Sequence, residues 1–132
     1  MNLSLIEAFA RFGAKPSHKH RALSAIAPDG AMVLNCSKPY FRHPSHGVLR
    51  YEDKLSRESD ETRNVELGRH LTLAHEGALP VRMVVASPAD ERGRGPTFHV
   101  RLDLVGKVVK FDGDHFIVDF IRQQPEVSHP RI

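Results

Sequence analysis

The feature that most constrains this chain lies near its end. Residues 106–111 read Gly-Lys-Val-Val-Lys-Phe, Asp112-Gly113 follows, and residues 115–121 read His-Phe-Ile-Val-Asp-Phe-Ile. Two β-prone runs around Asp-Gly predict an antiparallel hairpin, because a tight turn needs positive φ and Gly adopts it freely. Side chains alternate along a strand, so Phe116, Val118 and Phe120 share one face.

Further strands are read upstream. Val81–Ala86 and Thr97–Leu102 are β-prone runs separated by a polar, Gly- and Pro-rich stretch at 87–96 that carries Arg92 and Arg94. Pro28-Asp29-Gly30 divides two apolar runs and predicts an earlier hairpin, with strands near 21–27 and 31–36. Gly47–Tyr51 suits a short strand, and residues 37–47, with Pro39, Pro44 and Gly47, read as a loop.

Helices are signalled by period. Ser4-x-x-Glu7 fits a capping box, and Leu5, Ile6 and Phe9 follow at helical spacing, giving a helix near 4–12 that Gly13 stops. Leu67, Leu71, Ala74 and Ala78 lie on one helical face, behind a cap at Ser59 or Asp60. That places the main helix near 60–76, ended by Gly77 and Pro80.

The 132 residues suit one domain, with 1–124 as the α+β unit and 125–132 as a flexible C-terminal tail. Short turns between the late strands predict a mainly antiparallel curved sheet or small partly open barrel, with two helices packed on its apolar face. Glu7 and Arg11 interrupt any signal-peptide core, no apolar run approaches the ~20 residues that span a bilayer, and one cysteine permits no internal disulfide. A cytoplasmic location is expected, with no membrane partner and no cofactor implied.

The formal net charge is +3, but its distribution says more. Residues 11–50 carry seven Lys and Arg against Asp29 alone, while 51–76 hold seven acidic and four basic side chains. The segment 37–50 interleaves cations with Tyr40 and Phe41, the pairing that nucleic-acid binders use to neutralise phosphates and stack on bases. Arg21, Lys38, Tyr40, Arg42 and Arg50 are the candidate contacts. The structural alternative is that Tyr40 and Phe41 anchor a loop while the charges face water.

Nine histidines also raise a metal reading. His18, His20, Cys36, His43 and His46 supply five possible zinc ligands, though in no standard finger spacing. Cys36 follows an apolar run and suits a small buried hydrophobe better than a thiolate. No nucleophile elbow, P-loop or dinucleotide fingerprint occurs. The expectation is a binding module for nucleic acid. The alternatives are a metal-dependent enzyme or metal-stabilised domain, and a protein–protein adaptor or homo-oligomer joined through an edge strand.

Overall fold

A computed structural model describes residues 3–18, 22–88 and 95–123. Helix α1 (Leu5–Ala10) precedes strands β1 (Ser24–Ile26) and β2 (Met32–Ser37). A 3₁₀ turn at Lys38–Tyr40 leads to β3 (Phe41–Ser45) and β4 (Val48–Lys54), and a second at Leu55–Arg57 leads to α2 (Glu61–Gly77). The strands β5 (Val81–Ser87), β6 (Thr97–Phe111) and β7 (His115–Arg122) complete one sheet in the order β1-β2-β5-β6-β7-β4-β3.

The fold is α+β, and the sheet is mixed and open rather than a closed barrel. Five of its six pairings are antiparallel, but β2 and β5 run parallel. Parallel neighbours need a long crossover; here it contains the β3–β4 hairpin and α2. The sheet must also curl. The chain leaves β2 at Ser37 and enters the far edge at Phe41, a span of at most about 14 Å for four residue steps. A flat sheet would separate those strands by five spacings, about 24 Å. The curl brings the Tyr51 hydroxyl of β4 to the Ser37 amide of β2, which donates to it at 3.0 Å.

The two helices lie on opposite faces, not together on one. The inner face holds Met32, Leu34, Cys36, Met83, Tyr51, Phe116, Val118 and Phe120 around Leu67, Leu71 and Ala74 of α2. The outer face holds Val33, Val84 and Phe98 under Leu5, Ala8 and Phe9 of α1. Odd and even residues of β2 serve different cores, so this strand reads as an apolar run rather than an alternation. Ile6 is 45% exposed and takes no part in the core.

Local signals explain the element ends. Ser4 and Glu7 form the reciprocal capping box (Glu7 N–H to Ser4 Oγ 3.1 Å, Ser4 N–H to Glu7 Oε1 2.9 Å). Asp60 caps α2 by accepting from the Arg63 amide at 3.1 Å. The left-handed residue that ends α2 is Ala78, at φ 52°, rather than Gly77. Gly30 and Gly113 hold positive φ in the two expected turns.

Two elements depart from the sequence reading. Residues 97–111 form one strand, not two, because an irregularity between Arg101 and Gly106 lets its first half pair with β5 and its second with β7. Residues 41–45 are a strand, not a loop. Their exposed edge position demands no apolar pattern, so none appears in the sequence. The expected tail at 125–132 lies outside the described residues. Among the described residues, no helix is long and apolar enough to cross a membrane.

One pairing between helix and sheet makes stability depend on pH. The His70 ring of α2 meets the buried Ser24 hydroxyl of β1 at 2.7 Å (Nδ1 to Oγ). Burial lowers the His70 pKa from 6.5, against an opposing pull from Glu66. A lowered folded value means that the unfolded chain binds the extra proton first, so stability is complete above about pH 6.5 and falls as pH drops below it. His99 moves the same way through burial and nearby Lys38 and Arg101. Melting temperatures between pH 7.5 and 5 are expected to fall on acidification, and His70→Gln to reduce the slope without abolishing it.

Candidate nucleic-acid interface

The curled sheet separates the aromatics of 37–50 from its cations. Phe41 stands opposite Tyr51 in the β3–β4 pairing, and opposite residues share a face. Both point inward, with ring centroids 5.1 Å apart. Tyr40 also packs on the inner core, and the Arg57 guanidinium lies 4.1 Å from the centre of its ring. Both aromatics thus pack toward the inner core, Tyr40 from the 3₁₀ turn and Phe41 from β3.

Arg42 and Arg50 instead face outward. Arg42 stands opposite Arg50, Arg50 opposite Asp119, and Asp119 opposite Lys107. One charged row crosses four strands, about 14 Å at the usual strand spacing. A second row holds Glu52, Ile117 and Lys110, and a third Lys54 and His115. On the other flank, Val48, Ile121 and Val105 make an apolar row, with Ile121 52% exposed. Lys54, Lys107 and Lys110 are all exposed.

Arg50 is not a free cation. Its guanidinium donates to Asp119 in bidentate fashion at 2.7 and 2.9 Å, and its pKa is raised chiefly by that bond. The His115 ring meets Glu52 at 3.0 Å. Arg42 donates to the Pro39 and Phe41 carbonyls at 3.3 and 3.0 Å, which fixes its guanidinium without neutralising it. Five cations (Arg42, Arg50, Lys54, Lys107 and Lys110) thus face two carboxylates (Glu52 and Asp119). These rows carry a local surplus of three, with Asp112 of the adjoining turn acting on Lys110.

Lys38 lies elsewhere, at a seam beside Tyr40, and Arg21 and His20 lie outside the described residues, as do Arg92 and Arg94. Sequence reasoning missed Lys54, Lys107 and Lys110. The alternation around the Asp-Gly hairpin already put Lys107 opposite in facing to Val108, but only the strand order shows that it shares a surface with Arg42.

Among the described residues, the proposed metal ligands are not brought together. Cys36 is fully buried in the inner core, and burial pushes its thiol pKa well up, which disfavours the thiolate a metal needs. His43 is exposed on edge strand β3, His46 in the turn after it, and His18 on the surface. Among the described residues no group of three His, Cys, Asp or Glu side chains is placed to hold a metal ion.

No family model matches the chain, and neither does any curated protein. Among solved structures it is similar to the "crystal structure of KRYPTONITE in complex with mCHG DNA and SAH", at 14% identity and a TM-score of 0.39. That match covers 98% of this chain and 28% of the other. A likeness so loose informs neither fold nor ligand.

Proposed function

We propose that the protein is a nucleic-acid-binding module that contacts the phosphate backbone through the open outer face of β3, β4, β7 and the second half of β6. The observation that carries this reading is the row Arg42–Arg50–Asp119–Lys107 and its neighbours, where five cations and two carboxylates share one exposed sheet face. A concentrated patch of cations is what releases counterions from a polyanion.

The outward side chains of these strand segments include no Phe, Tyr or Trp. Base stacking needs such planes. The partner this face suits is therefore a duplex, read by its backbone and without sequence preference. Non-specific contacts of this kind give dissociation constants of roughly 10⁻⁴–10⁻⁶ M at physiological salt.

Lys107→Glu and Lys110→Glu reverse two exposed charges that make no contact in the core. The double variant is expected to fold normally and to lose at least about tenfold in affinity for any duplex, with a shallower salt slope. Fluorescence anisotropy with duplexes of two unrelated sequences measures both. Unchanged affinity and slope would remove this face from the interface.

A further inference from the structure

At the other end of the strand order from the basic face, α2 packs against the edge strand β1. This strand is three residues long and pairs with β2, through Ser24–Leu34, Ala25–Val33 and Ile26–Met32. It has little apolar bulk to hold it. The buried side chains on and beside it are small: Ala22, Ser24, Ala25 and Ala27. Leu23 and Ile26 are only partly buried. Alanine-sized groups contribute far less on burial than Leu, Val or Phe, so polar contacts carry more of the attachment here than elsewhere in the sheet.

The Asn35 amide of β2 donates to the Leu23 carbonyl at 2.9 Å, and Asn35 Nδ2 to the Ala22 carbonyl at 3.3 Å. A further contact joins helix to strand, the partly buried His70 ring meeting the hydroxyl of buried Ser24. A neutral imidazole has one donor and one acceptor nitrogen and serves a hydroxyl either way, whereas a charged ring only donates. Strand β1 contains no charged residue to receive that charge. The charges that act on His70 belong to α2: Glu66 favours its protonation and Arg69 opposes it. Glu66 also accepts from the Ser17 hydroxyl at 2.9 Å, and His18 lines the same surface groove as Glu66 and Arg69. A protonated His70 thus sits against a buried hydroxyl with no carboxylate on the strand that it holds, which is costly.

We propose that His70 is a pH-operated latch on β1: protonation of its ring in mild acid releases this strand from α2 and bares the backbone edge of β2. The opening is local because β1 is a short outermost strand, and local opening draws on the least stable elements. Release takes up one proton, so the opening equilibrium rises by up to about tenfold for each pH unit below the ordinary imidazole value of 6.5. A bared strand edge presents unpaired N–H and C=O groups to other chains.

Amide hydrogen exchange on the full chain between pH 7.5 and 5, corrected for the intrinsic pH dependence of exchange, tests it. Protection of the Asn35 amide, which reports the β1–β2 pairing, is expected to fall by up to about tenfold per unit below pH 6.5. It should stay below the protection of the β7 amides at every pH and respond little to low urea, the mark of a local opening. His70→Gln takes up no proton and should flatten the pH dependence at Asn35. His18 and His99 remain in that variant, so a dependence that persists belongs to them and overturns the proposal. Protection at Asn35 that does not change with pH, or that matches β7 in size and in urea response, overturns it too. The comparison of strands needs only the unaltered chain, so it decides even where His70→Gln fails to fold.

Discussion

Gly106→Val is expected to destabilise the fold by roughly 3 kcal/mol or more. A Cβ at this position would lie 2.6–2.7 Å from two ring carbons of Phe120. Phe120 is fully buried on the inner face and stands opposite Gly106 in the β6–β7 pairing. The ring covers the glycine and cannot swing away without opening the core. Valine suits a strand better than glycine by under about 1 kcal/mol, which does not offset the clash. Urea unfolding measures the loss. Phe120→Ala alone should also be costly, by about 3–5 kcal/mol for the cavity. The two together should cost clearly less than their sum, because each relieves the other. Additive losses would show that the ring does not hold its place over Gly106.

Asp53→Ala carries the second large effect. The Asp53 carboxylate is 7% exposed and accepts from the Tyr51 hydroxyl at 3.1 Å, the Lys54 amide at 2.8 Å and Arg57 Nε at 2.7 Å. The second Arg57 nitrogen completes a bidentate pair. Alanine leaves the buried Tyr51 hydroxyl without its acceptor and releases the guanidinium that packs on Tyr40. Removing one partner of a buried ion pair costs about 3–5 kcal/mol. Arg57 is 41% exposed and can turn to water, so about 2–4 kcal/mol is expected here. Guanidinium unfolding of D53A and R57A distinguishes the sources. Asp53→Ala should be the more damaging, since it also strands Tyr51. Equal losses would mean that the hydroxyl contributes nothing.

The two hairpins, both helices and most strands were legible because their signals are local. Asp112-Gly113 and Pro28-Asp29-Gly30 impose turns within a few residues, and Ser4 and Glu7 cap one another across three. The missing parts depend on distant partners. Strand β3 is exposed from Arg42 to Ser45, so only its pairing with β4 makes it a strand. The parallel contact of β2 with β5 follows from a crossover of more than forty residues. Arg50 carried the right charge in the right region, yet its partner Asp119 lies 69 residues away. As sequence, the segment 37–50 forms one patch, but alternation sends Phe41 inward and Arg42 outward, and the 3₁₀ turn leaves Lys38 at the seam. Face assignment therefore needed the sheet register, which no window of sequence contains.

The central claim is that the outer sheet face holds a duplex through its phosphates. Its most direct test is the anisotropy of a labelled duplex titrated with the protein at several salt concentrations. Three to five cations engaging phosphates predict a slope of log K against log salt of about −3 to −4.5, with similar values for unrelated sequences and weaker binding of single strands. Absence of binding at low salt, or binding that salt does not weaken, would contradict it.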